Sequence, residues 1–132
     1  MKSQQSGFTL VEIMIVVAII ALLAAIAVPN FLRARKRSQA SRILEDLRLV
    51  DTAIDQYAIE TNKVTGNDVS WTDIKAYLKT GSKLYNTTGT DMFGRAINGG
   101  SFTVDFIPRL NSSTYDDLSD VAPVDFWSPF YP

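Results

Sequence analysis

The 132-residue chain contains no cysteine and no histidine. Without cysteine there is no disulfide framework and no thiol nucleophile. Without histidine there is no imidazole base, and a zinc site of the usual Cys/His kind is excluded. The missing cysteines carry no information about cellular compartment. Charge of one sign is also missing: 13 Lys and Arg stand against 14 Asp and Glu, a net charge of −1. That balance gives no whole-molecule attraction to nucleic acid, which is not an expected partner, although local blocks of charge still count. There is no internal repeat and no low-complexity stretch. The length suits one small domain.

What is present is one long apolar run. Phe8 to Val28 (FTLVEIMIVVAIIALLAAIAV) holds a single charged residue, Glu12. As a helix rising ~1.5 Å per residue it would extend about 31 Å, close to the ~30 Å hydrocarbon core of a bilayer. Apolar residues lie on all its sides, which separates it from an amphipathic core helix. It exceeds the h-region of a secretory signal peptide, carries a carboxylate near its start, and lacks a small-x-small cleavage site at a clear end. A polar leader with Lys2 precedes it, and Arg33, Arg35, Lys36 and Arg37 follow. By the positive-inside rule the larger basic block would favour a cytoplasmic C-terminal side.

The residues Gly7-Phe8-Thr9-Leu10-Val11-Glu12, with the basic leader before them and Pro29 after the run, resemble the N-terminal signal of type IV pilins and type II secretion pseudopilins. The likeness covers residues 1 to 60 well and the rest loosely. It implies a leader, residues 1–7, removed after Gly7 by a membrane prepilin peptidase, and methylation of the new amine on Phe8. It implies a single-pass inner-membrane protein whose C-terminal part is periplasmic, the reverse of the charge rule. Later the chain would leave the membrane for a periplasmic or extracellular filament. The implied partners are copies of the same chain in a helical homopolymer, an inner-membrane assembly platform, minor pseudopilins and membrane lipid. Many pilins of this kind have glycine where this chain has Ala21.

Two residues of the run stand out physically. A carboxylate in an apolar segment costs about 2.5–3.5 kcal/mol on insertion scales, less near the interface. Glu12 therefore either snorkels to the interface or meets a partner, and the resemblance supplies one, the Phe8 amine of a neighbouring subunit. Such a pair would set axial register, because an unpaired charge in a filament core is penalised more than a misplaced methyl group. Pro29 removes a helical hydrogen bond to Ala25 and predicts a kink or local melting around Ala24 to Pro29.

Beyond the run, residues 30–61 predict an amphipathic helix. Ala40, Ile43, Leu47, Val50, Ile54 and Tyr57 recur at spacings of three and four, a one-sided stripe that would cover a C-terminal domain over residues 62–132. The remaining faces are charged, basic first and acidic later. The basic block suits lipid head groups before assembly or acidic neighbours afterwards. Ser70-Trp71-Thr72-Asp73 predicts a capped helix over 71–80, closed by Gly81. Asn98-Gly99 between Arg95–Ile97 and Ser101–Ile107 predicts a β-hairpin, with Phe102, Val104 and Phe106 facing inward. Asp91-Met92-Phe93-Gly94-Arg95 resembles a turn of major pseudopilins. The proline-rich tail predicts loops wrapping the sheet with aromatics tucked in.

The expected fold is therefore α+β. A long N-terminal helix, with a transmembrane first half (8–29) and an amphipathic second half, packs on a small domain with a short helix and an antiparallel hairpin or sheet. Catalysis is not expected, because no acid is paired with a nucleophile. Asp116, Asp117, Asp120 and Asp125 form either a solvated acidic loop or, together with loop carbonyls, the oxygen ligands of a calcium ion. Their spacing matches no defined calcium motif, but the resemblance adds weight, since major pseudopilins carry calcium in C-terminal loops. The expected function is a structural subunit of a type II secretion pseudopilus. The alternative is a type IV pilin for adhesion, twitching or DNA uptake.

Overall fold

A computed structural model describes all residues, Met1–Pro132. The chain divides into two units, Met1–Arg35 and Lys36–Pro132. Helical residues from Lys36 onward share a unit with the C-terminal segment rather than standing apart.

Helix α1 covers Leu10–Thr61, with Pro29 inside it. Helical geometry is kept through Ala24–Pro29, so of the two expected outcomes, a kink or local melting, the melting is not found. Proline removes one hydrogen bond, and the residues around it are good helix formers, mostly Ala, Leu and Ile. In the first unit the side chains from Leu10 to Leu32 are all exposed.

In the second unit α1 contributes Ala40, Ile43, Leu44, Leu47, Val50, Ala53 and Ile54 to the core. The predicted stripe is thus buried from Ala40 to Ile54, and Tyr57 packs at its edge. Leu44 and Ala53 widen it to the broad apolar face that a core-facing helix needs.

Strand β1, Asp68–Val69, pairs antiparallel with β2, Phe102–Thr103, in the register Asp68↔Thr103 and Val69↔Phe102. This sheet replaces the expected hairpin. Asn98 and Gly99 do adopt positive φ, 52° and 65°, as a type I′ turn requires. Gly100 continues with φ 85° and carries the chain away from Ile97. Residues Ile97–Gly100 form a tight turn with left-handed backbone at Asn98 and Gly99, and Asn98 bonds across to Arg109 instead. Phe102 and Val104 are buried as expected, but Phe106 is exposed, because Asp105 takes φ 64° and breaks the alternation.

Helix α2 is shorter than expected, Trp71–Lys75. Its capping box is present: the Ser70 hydroxyl accepts from Asp73 N–H, and the Asp73 carboxylate accepts from Ser70 N–H. Beyond it the backbone changes to i−3 bonds, Tyr77 N–H to Ile74 and Leu78 N–H to Lys75. That tighter turn buries Leu78.

The tail holds two helices where loops were expected, α3 (Ser112–Leu118) and α4 (Val124–Trp127). The prolines fall outside helical interiors. Pro108 precedes α3, Pro123 caps the start of α4, and Pro129 and Pro132 follow it. Asn111 caps α3 by accepting from Ser113 N–H. Trp127 and Phe130 are buried, so those tail aromatics do join the core. The class is α+β, with a long apolar N-terminal helix, short helices and a two-stranded antiparallel sheet.

Candidate functional site

The N-terminal segment carries the functional signal. Residues 1–9 precede α1 in non-helical conformation and are exposed. Gly7 has open space where a Cβ would point, and its φ is not in the left-handed region. Nothing in the fold therefore requires glycine there. A requirement for it must come from something that approaches this backbone from outside.

Thr9 and Glu12 form a second capping box. The Glu12 carboxylate accepts from Thr9 N–H at 2.7 Å, and Glu12 N–H donates to the Thr9 hydroxyl at 3.2 Å. The charge thus satisfies a helix N-terminus, where the macrodipole favours an anion. Sequence reasoning singled out Glu12 but missed Thr9, although Thr-x-x-Glu is the signature of such a box. From here α1 presents only apolar side chains to its surroundings as far as Val28. It is long and apolar enough to cross a membrane.

The four tail carboxylates do not converge. Asp117 accepts from Arg95 Nη2 at 2.5 Å, and both oxygens of Asp120 accept from Lys36 Nζ at 3.1 Å. Asp116 lies on α3 and Asp125 on α4. No three acidic side chains stand close enough to hold a metal ion.

A polar cluster that the sequence reading missed lies beside them. Asp91 is buried, and one of its oxygens accepts from Phe93 N–H at 2.9 Å and Arg95 N–H at 3.0 Å. Its other oxygen accepts from the buried Thr114 hydroxyl. The turn Asp91–Arg95, noted only as a resemblance, is therefore an anchoring point for α3.

Comparison with known proteins agrees with the N-terminal geometry. Residues 2–28 match the prokaryotic N-terminal methylation motif. Over an alignment of 151 positions the chain is 40% identical to a fimbrial protein of Pseudomonas aeruginosa, covering 99% of this chain and 95% of that one. It is 37% identical over 109 residues to type IV major fimbrial protein FimA of Dichelobacter nodosus, covering 80% of this chain and 65% of the relative. It is 34% identical over 62 residues to type II secretion system core protein G of Aeromonas hydrophila, covering 47% and 43%. Across three FimA sequences the chain spans 65%, 45% and 55% of the relative's length. No solved structure matches the chain.

These likenesses place the chain in a class of filament-forming proteins with a processed, apolar N-terminal helix. It belongs to the type IV pilin and type II secretion pseudopilin family. Members of that family are structural subunits rather than enzymes. The apolar helix and the methylation motif fit membrane anchoring and filament formation.

Proposed function

We propose that the chain is a filament subunit, cut after Gly7, methylated on the amine of Phe8 and polymerised through α1. The observation that carries this reading is the exposed apolar surface from Leu10 to Val28, opened by the Thr9–Glu12 box. Such a surface needs lipid or other copies of itself around it, and the two environments follow each other in this reading.

Before assembly α1 sits in the inner membrane with its C-terminal unit on the periplasmic side. The leader lies on the cytoplasmic side, within reach of a prepilin peptidase. Non-helical, exposed backbone at Gly7 suits a protease, which must contact the substrate main chain closely. Cutting frees an amine on Phe8, so a positive charge appears four residues before Glu12. In the filament that amine pairs with Glu12 of a neighbouring subunit. The assembly platform and minor subunits are further partners of this reading.

Two finer readings share that mechanism. The alignment that runs through the C-terminal unit is to a fimbrial protein, which favours a surface pilus. The core protein G likeness and the Asp91–Arg95 turn favour a secretion pseudopilus. Deleting the gene and imaging cells separates them. Loss of long external filaments with secretion intact marks a pilus, and loss of secretion with unchanged external filaments marks a pseudopilus. The shared mechanism is tested by Gly7→Val, which should retain the leader and abolish filaments. Mass spectrometry of the parent should find a chain starting at methylated Phe8. A chain still starting at Met1 in assembled filaments would end the proposal.

A further inference from the structure

The family likeness suggests calcium in the C-terminal loops, yet three of the carboxylates there, Asp91, Asp117 and Asp120, are already engaged. One oxygen of Asp91 accepts two backbone N–H groups, and the other accepts the Thr114 hydroxyl. Both oxygens of Asp120 face Lys36. The third, Asp117, faces a guanidinium.

That guanidinium belongs to Arg95 and is placed by several contacts. Its Nη2 donates to Asp117 at 2.5 Å, and its Nη1 donates to the Thr114 hydroxyl at 3.3 Å. Its carbon lies 5.5 Å from the centre of the Phe93 ring. Thr114 and Asp117 are three residues apart on α3, so they lie on one face and match the two arms of a planar fork. The Thr114 hydroxyl uses its proton on Asp91 and a lone pair on Arg95, leaving both partners satisfied. A buried carboxylate, a hydroxyl and a second carboxylate are thus gathered around one fixed cation. A guanidinium stays charged at any pH the protein meets, which an ammonium or a loosely held metal ion does not guarantee.

We infer that Arg95 is the internal cation of the C-terminal unit. It ties α3 to the Asp91 turn, and the unit stays folded without a divalent ion. This holds for a pilus and for a pseudopilus alike.

The test uses the full chain in detergent micelles. Trp71 and Trp127 both lie in the second unit, so their fluorescence reports its melting. Melting should be the same in chelator and in millimolar calcium at matched ionic strength. Arg95→Gln should lower the Tm by several degrees, and calcium should not restore it. Asp117→Asn, which changes an exposed partner and leaves the core intact, should also lower it. The double variant should melt no lower than Arg95→Gln alone, as expected for partners in one interaction. Arg95→Lys keeps the charge without the fork and should fall between parent and Arg95→Gln. If Arg95→Gln fails to fold, Asp117→Asn and the calcium comparison still decide. A Tm that climbs by several degrees with calcium, and does so only while Asp117 is intact, would overturn the inference. So would an Asp117→Asn variant that melts like the parent.

Discussion

The hydroxyl of Tyr77 donates to the carboxylate of Glu60 at 2.6 Å, joining the end of α1 to the turn after α2. The same ring stands edge-on to Tyr57, with centroids 6.2 Å apart. The bond favours the neutral phenol, and Tyr77 is held above the ordinary tyrosine range. Its contribution is complete below the ordinary tyrosine pKa. It is lost as pH rises through the raised folded value. Tyr77→Phe should therefore lower the Tm at neutral pH, where the bond is intact, and flatten the alkaline end of a Tm-against-pH curve, so that parent and variant converge as pH rises.

Asp73 behaves in the opposite sense. The Ser70 hydroxyl first, and the Ser70 N–H next, lower its pKa. Its contribution is present above the ordinary aspartate pKa and disappears as pH falls through the lower folded value. Asp73→Asn should remove part of the acid-side loss of Tm. An unchanged acid limb would show that the box on α2 contributes nothing to stability.

Leu47 is fully buried at the middle of the α1 stripe. Leu47→Ala deletes buried methyl groups and leaves a cavity that a helix backbone cannot close. A loss of about 2–5 kcal/mol is expected in denaturant titrations followed by tryptophan fluorescence. Exposed Leu49, two residues on, should cost far less when changed in the same way.

Gly89 has φ 82°, and a Cβ there would stand 3.2 Å from Trp71 Cε3 and 3.3 Å from Trp71 Cδ2. The Trp71 indole N–H is also fixed, donating to the Thr87 carbonyl at 3.0 Å. Gly89→Ala combines a left-handed backbone with a ring that has little room to retreat. It should destabilise by about 1–3 kcal/mol. Gly81→Ala, at the same φ but with open space around it, isolates the backbone part of that cost.

For assembly, Glu12→Ala and Glu12→Gln should both be inserted and processed, since each removes a costly charge from an apolar segment. Filament counts should fall in both, because neither can neutralise the amine of a neighbour. Thr9→Val separates capping from pairing. It removes the hydroxyl of the box but keeps the carboxylate, so it should assemble better than either Glu12 variant. Equal filament numbers in parent and Glu12→Ala would show that the carboxylate does not set register.

Much of this was legible because it is local. The stripe from Ala40 to Ile54 repeats at the helical period, and the Ser70–Asp73 box is complete within four residues. What escaped depends on partners distant in sequence. Nothing near Phe102 says that its strand partner is Val69 rather than Ile97, and the Asn98-Gly99 turn chemistry was right while the pairing inferred from it was not. Arg95 and Asp117 are separated by 22 residues, so their meeting follows from the fold alone. Helix α3 was obscured differently. Proline density was averaged over the whole tail, although the segment Ser112–Leu118 contains none and begins with an asparagine cap.

The turn at Asn98 bears on how the protein ages chemically. Asparagine before glycine is prone to deamidation, in which the next backbone nitrogen attacks the side-chain amide carbon and closes a five-membered ring. Here Asn98 Nδ2 donates to the Ser101 carbonyl, and its Oδ1 accepts from Arg109 N–H at 3.3 Å. Both ends of the amide are occupied. Ring closure would have to break those bonds first. The fold thereby keeps the chain's Asn-Gly dipeptide in a slow state.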